Sequence, residues 1–132
     1  QIVISGPHDQ IKLAGPILEK AGAKAVMPLS VSAAFHSRYM SKAAKEFVEY
    51  ARQFDYNSPS LPVIANITAT PYEESEPDQH IPDVLMKQIT GSVLWQSSVE
   101  YILNAGEEDF VEIGPGNVLT RLIEQIRSDH QG

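Results

Sequence analysis

The sequence predicts an α/β fold with parallel strand pairing. Three observations lead there. Apolar or β-branched runs stand at residues 1–5, 61–67 and 109–113. Segments with apolar residues at helical spacing separate them. Gly and Pro mark several of the junctions. Alternation of this kind favours parallel pairing, because parallel neighbours need a crossover, which is usually a helix.

In chain order, "QIVIS" (1–5) predicts a buried strand stopped by Gly6-Pro7. Asp9 is placed to cap a helix beginning near Gln10, with Ile11, Ala14 and Leu18 on one face and Ile17 beside them. Gly15-Pro16 predicts a kink or break in it, and Gly22 an exit. "AVMPLSVS" (25–32) reads as extended, with Pro28 at an edge or end. From Ser41, Ala44, Phe47, Val48 and Ala51 make an apolar helical stripe, and Lys42, Lys45, Glu46 and Glu49 lie away from it.

"YNSPS" (56–60) is a predicted loop, and "LPVIANI" (61–67) a strand covered on both faces. Residues 70–82 are acidic and hold three prolines, which predicts a surface excursion. Short helices are expected over 83–89 and 95–103, the second with Val99, Ile102 and Leu103 inward. "DFVEI" (109–113) predicts a strand. A Gly-Pro-Gly turn follows, then a helix with Val118, Leu119, Leu122, Ile123 and Ile126 on one face, and a frayed tail over 128–132.

Composition narrows the function classes. A chain of 132 residues can bury roughly two thirds of its unfolded surface. A net charge of −7 argues against nucleic acid or an anionic membrane as the main partner. The absence of cysteine excludes a disulfide framework and a thiolate nucleophile, and it fits a reducing, cytoplasmic setting. No apolar run approaches the length of a bilayer span, and the first ten residues lack the charged and apolar regions of a signal peptide. The direct opening into a strand-like run suggests a fragment.

Two stretches are candidate sites. In "SVSAAFHSRYM" (30–40), His36 stands where a strand meets a helix. A packed histidine bonded to backbone is one reading. A general base is the other, since an imidazole can accept a proton at neutral pH. Ala33 and Ala34 leave room beside it, Phe35 makes an apolar wall, and Ser37 can cap the next helix. In "EIGPGNVLTRL" (112–122), a strand feeds a helix through Gly-Pro-Gly, so free N–H groups at the helix start can attract an anion; a tight packing turn is the plainer reading. It is no Walker loop, because the Lys-Ser/Thr pair is missing.

Other features carry less. The acidic run Glu73, Glu74, Glu76 and Asp78 reads as a solvated loop, and Glu107, Glu108 and Asp109 as a polar turn. His8, His80 and His130 are isolated, and no metal-ligand spacing occurs. Asn66-Ile67-Thr68 matches a glycosylation sequon but lies on a buried-strand pattern and is read as a chance match.

"SVSAAFHSRYM", "LPVIANITATPY" and "LMKQITGSVLWQSSVEYILNAGEEDFVEIGPGNVLTRLI" follow one another in an order that resembles the malonyl-CoA:acyl carrier protein transacylases, above all those that serve polyketide synthases in trans. The resemblance runs from about Gln1 to Ile126. It implies a Ser-His ping-pong reaction. A serine takes the acyl group from the coenzyme A thioester, which is a substrate and not a bound cofactor, and the phosphopantetheine thiol of a carrier protein removes it. By the same resemblance His36 is the base, the backbone carbonyl of Gln88 orients it, Phe35 crowds the α-carbon of the acyl group, and Asn66 lies near the site. No metal is implied.

The sequence departs from the family in one respect. No Gly-x-Ser-x-Gly motif occurs in it, and the family's serine, oxyanion-hole glutamine and malonyl-gripping arginine lie upstream of the matched region. The resemblance therefore implies a C-terminal half. Residues 1–32 would be part of a ferredoxin-like small subdomain, 33–127 part of a hydrolase-like parallel-sheet lobe, and 128–132 a tail. The expected partners are malonyl-CoA, an acyl carrier protein and the N-terminal half of the same acyltransferase, with no nucleic acid and no membrane. The alternative expectation is a non-catalytic carrier-protein docking module of the same fold; a generic α/β hydrolase half explains "AAFHSRYM" poorly.

Overall fold

The computed structural model describes residues 1–130. In chain order it contains α1 (His8–Lys20), a 3₁₀ turn (Arg38–Met40), α2 (Ser41–Ala51), β1 (Ile64–Ala65), β2 (Thr70–Pro71), α3 (Pro77–Thr90), α4 (Trp95–Asn104) and α5 (Val118–His130). The class is mixed α/β, with helices predominant.

Two helix pairs hold most of the core. In the first, α2 packs against α3. Ala44, Val48 and Ala51 are the buried residues of α2, spaced to fall on one face, and Pro82 and Val84 are those of α3. Phe47, expected on the same stripe, stays partly exposed at its edge. Arg52 bonds Asp83 across the pair at 2.6 Å; both are partly exposed, so the pair is worth at most about 1 kcal/mol. The chain leaving α2 is fixed by the Tyr56 hydroxyl, which donates to Ala51 O at 3.0 Å, and by Asp78, which accepts the Tyr56 N–H in the first turn of α3.

In the second pair, α4 packs against α5 around Val99, Ile123 and Ile126, with Trp95, Leu103 and Phe110 against them. The Arg127 guanidinium lies 5.1 Å from the centre of the Phe110 ring. Phe110 therefore anchors the segment before α5 to this cluster.

The strands differ from expectation. The described residues form one two-stranded sheet, and it is antiparallel, with Ile64 opposite Pro71 and Ala65 opposite Thr70. The chain reverses because Ala69 adopts a left-handed conformation, φ 57°, and Thr68 and Ala69 both donate to Ala65 O. "NITA" contains neither Gly nor Pro, and its Asn66 is the only residue in it of a type common in turns. Residues 1–5, 25–32 and 109–113 form no strand. A ladder needs two partners, and among the described residues none supplies the second. Their apolar side chains consequently lie open, with Ile2 at 90% and Ile113 at 96% exposure.

The helices differ from expectation mainly at their prolines. α1 runs through Pro16 without a break, and Pro7 precedes it where Asp9 was expected to cap; Asp9 lies inside the first turn. The acidic stretch 70–82 is not one excursion, because α3 already begins at Pro77. Proline suits a first helical position, where its missing N–H has no intrahelical partner anyway. Pro82 lies deeper in α3 and is fully buried. α4 extends one residue past the predicted end, and α5 continues through His130, so Ser128 to His130 of the expected tail are helical. Gln131 and Gly132 lie outside the described residues. Among the described residues no helix is long and apolar enough to cross a membrane.

Val99, at 2% exposure, is the most deeply buried member of the α4–α5 cluster. Val99→Ala is expected to lower the unfolding free energy by roughly 1.5–3 kcal/mol. Urea titration should show this as an earlier midpoint at unchanged slope.

Candidate active site

A helix end leaves its last carbonyls without intrahelical donors. At the end of α3, Lys87 O accepts the Gly91 N–H at 2.8 Å. The next two carbonyls are met by a single residue from far away in the chain. His36 donates its backbone N–H to Ile89 O at 3.1 Å, and its ring Nδ1 lies 3.0 Å from Gln88 O. Nδ1 also lies 3.1 Å from Gly91 O.

These contacts determine where the ring proton sits. A carbonyl oxygen can only accept, so Nδ1 carries the hydrogen, and in the neutral ring Nε2 keeps its lone pair. Nε2 makes no hydrogen bond among the described residues, and His36 is exposed. The backbone is held in a left-handed conformation, φ 59°. For a residue with a Cβ this costs on the order of 1–2 kcal/mol, which the three contacts to 88–91 offset.

Either side of His36 the chain is fixed locally. Ser37 Oγ donates to Ala34 O at 2.6 Å and accepts the Tyr39 N–H at 3.3 Å, which makes Ser37 the cap of the 3₁₀ turn, as its position suggested. Ser41 Oγ donates to Arg38 O. The ring then lines an open groove of about 590 Å³, whose walls include Ser5, Gln10, Ile11, Tyr39 and Thr90. The Tyr39 hydroxyl accepts from Arg38 at 3.3 Å and reaches Gln10 Oε1 on α1 at 3.5 Å, so α1 forms the opposite wall.

Of the residues singled out in sequence, His36 and Gln88 therefore meet directly. Phe35, the neighbour of His36, is 45% exposed. Asn66 is half-buried and uses its backbone, accepting the Leu94 N–H at 2.8 Å; among the described residues no hydrogen bond joins it to His36. Its neighbour Ile67 packs against Gly91. Neither Gly91 nor Ile89 is recognisable from sequence as a partner of His36. Gly91 follows a helix, as a left-handed capping glycine would, but its φ of −92° is open to any residue and does not itself require glycine.

The second candidate is occupied from within. At the start of α5, Glu112 accepts from the Thr120 hydroxyl at 2.7 Å, the Thr120 N–H at 3.0 Å and the Leu119 N–H at 3.2 Å. The anion attracted by this helix terminus is the protein's own carboxylate. Gly116, at φ 89°, allows the turn that brings Glu112 back over the helix. The Thr120 hydroxyl first, then the Thr120 and Leu119 amides, hold the Glu112 carboxyl below the usual carboxylate range. No group of three or more His, Cys, Asp or Glu side chains that could hold a metal occurs among the described residues.

No family model matches the chain. Individual proteins do. Over 130 residues it is 46% identical to the polyketide biosynthesis malonyl CoA-acyl carrier protein transacylase PksC of Bacillus subtilis, covering 98% of this chain and 44% of that protein. Over 132 residues it is 45% identical to BaeC of Bacillus velezensis, which bears the same description, again with 98% and 44% covered. The chain is thus similar over nearly its whole length to part of the malonyl-CoA:acyl carrier protein transacylases. Solved transacylases share the fold. One is a malonyl-transacylase in complex with its type II polyketide synthase acyl carrier protein, with a TM-score of 0.87 at 32% identity, covering 93% of this chain and 39% of that one. Another is a transacylase from Burkholderia pseudomallei, with a TM-score of 0.82 at 34% identity, covering 93% and 42%. The chain thus spans less than half the length of the transacylases it matches.

The Glu112 contacts predict a pH dependence of stability. A folded pKa below the ordinary glutamate value of 4.5 means that the carboxylate stabilises the fold above about pH 4.5, and that this contribution is lost as pH falls through the lowered folded value. Glu112→Gln should lower the thermal midpoint at pH 7. The gap between parent and variant should narrow as melts are recorded below pH 4.5, and a gap independent of pH would contradict the assignment.

Proposed function

We propose that this chain supplies the histidine-bearing half of an acyltransferase that moves a malonyl group from coenzyme A to the phosphopantetheine thiol of an acyl carrier protein. The observation that carries the proposal is the His36 ring, with Nδ1–H held by the Gln88 carbonyl and Nε2 free at an open groove. That is the tautomer a general base needs.

The nucleophile is a serine hydroxyl from polypeptide outside this sequence. His36 Nε2 takes the serine proton as the oxygen attacks the thioester carbonyl. The C–S bond then breaks, and the coenzyme A thiolate leaves with the proton returned from Nε2. In the second half-reaction, Nε2 takes the proton of the pantetheine thiol, the thiolate attacks the acyl-serine ester, and the serine oxygen recovers the proton as it leaves. The coenzyme A thioester enters as substrate, and no bound cofactor takes part.

Phe35, next to His36, narrows the space for the α-carbon of the acyl group, and Asn66 contributes to the substrate side of the site. Residues 1–32 belong to a ferredoxin-like small subdomain and 33–127 to a hydrolase-like lobe. The rest of the acyltransferase completes both. This is supported by the exposed apolar segments at 1–5 and 109–113, whose backbones have no ladder partner among the described residues.

Two measurements test the proposal. The chain together with a serine-bearing N-terminal half, incubated with malonyl-CoA, should gain a malonyl adduct by mass spectrometry. His36→Ala should slow that loading by roughly 10²–10⁴-fold, and unchanged loading would remove His36 from its role. Phe35→Ser should raise the share of methylmalonyl loading when the two thioesters compete. Because one methyl group in an apolar pocket discriminates by about 1–3 kcal/mol, the change should not exceed about 200-fold, and an unaltered ratio would clear Phe35 of any part in selectivity.

A further inference from the structure

The second acceptor of the His36 ring is the carbonyl of Gly91, 3.1 Å from Nδ1. Its backbone, φ −92° and ψ 158°, is open to any residue, so conformation does not demand glycine there. Space does. A Cβ built on Gly91 would lie 2.0 Å from Ile67 Cδ1, 3.3 Å from Ile67 Cγ1 and 3.0 Å from Lys87 O. Ile67 sits at the turn of the β1–β2 hairpin and Lys87 in the last turn of α3, so a side chain at 91 would have to turn the Ile67 methyl out of its place and press on the Lys87 carbonyl.

We infer that Gly91 is a positioning residue for His36: its lack of a side chain lets Ile67 close over the end of α3 and keeps the 91 carbonyl within bonding reach of Nδ1. Two acceptors, Gln88 O and Gly91 O, share one N–H and fix the ring plane as well as the tautomer. One acceptor alone would leave the ring free to turn about that bond. The inference deepens the catalytic reading of His36 and rests on it for its functional consequence, but the geometry has its own readout.

With ¹⁵N-histidine labelling of the full protein, the parent should show a His36 Nδ1–H tautomer, assigned by its loss in His36→Gln. Gly91→Ala should shift that Nδ1–H signal or broaden it beyond detection. In the acyl-loading assay it should lower kcat by roughly 10²-fold, the scale of a misplaced catalytic group, with little change in KM. Ile67→Ala combined with Gly91→Ala removes the obstructing Ile67 atoms at 2.0 and 3.3 Å, leaving only the Lys87 carbonyl at 3.0 Å, and should restore the ring signal and most of kcat. A folded Gly91→Ala protein with an unaltered Nδ1–H signal would overturn the inference. Should Gly91→Ala alone not fold, the double variant decides: if it stays unfolded, or folds without the parental ring signal, Gly91 does not act by this route. If the ring responds as expected but loading does not, the positioning stands and the catalytic role of His36 fails.

Discussion

Everything placed near the candidate site depends on how one helix ends. α3 finishes with carbonyls that need donors, and His36 supplies two of them, its amide to Ile89 and its ring N–H to Gln88. The relation is reciprocal. The helix end is satisfied by a residue more than fifty positions away, and that residue is held in a left-handed backbone conformation it would not adopt alone. A carboxylate would also accept from the imidazole, but it would bring a charge and a flexible side chain. Backbone carbonyls at a helix terminus bring neither, and their positions are set by the packing of α3 on α2.

The same physics explains why the two candidate stretches had opposite fates. Both lie at helix termini, where unpaired backbone groups invite polar partners. At the start of α5 the partner is Glu112, which meets two amides and a hydroxyl, so the terminus is internally satisfied. At the end of α3 the partner is an imidazole that has a second nitrogen to spare. One terminus closes on itself, while the other is met by a ring that lines a groove and has no hydrogen bond at Nε2 among the described residues.

Much of the helical fold was legible in the sequence because amphipathic spacing is local. Ala44, Val48 and Ala51 needed only their own spacing to be read as a buried stripe, and Val99, Ile123 and Ile126 likewise. The strands were not legible in the same way. β-branched runs record a tendency to be extended, but a strand exists only when another backbone pairs with it, and "QIVIS" and "DFVEI" have no such neighbour among the described residues. Prolines misled for a related reason. Their meaning depends on register: Pro77 starts α3 and Pro82 is buried within it, although both were read as surface-loop residues.

The site divides along the same line. His36 and Gln88 could be named through resemblance to a family, yet nothing in the local sequence placed one beside the other. Gly91 was legible as a glycine after a helix, which ordinarily signals a left-handed cap. The reason it carries no side chain lies in Ile67, twenty-four residues earlier, whose methyl group occupies the space. A glycine required by its own φ can be argued from its turn. A glycine required by a neighbour's volume can be argued only once the neighbour is in place. That distinction ties Ile67 to His36 through Gly91: the hairpin turn presses on residue 91, and residue 91 helps to hold the ring.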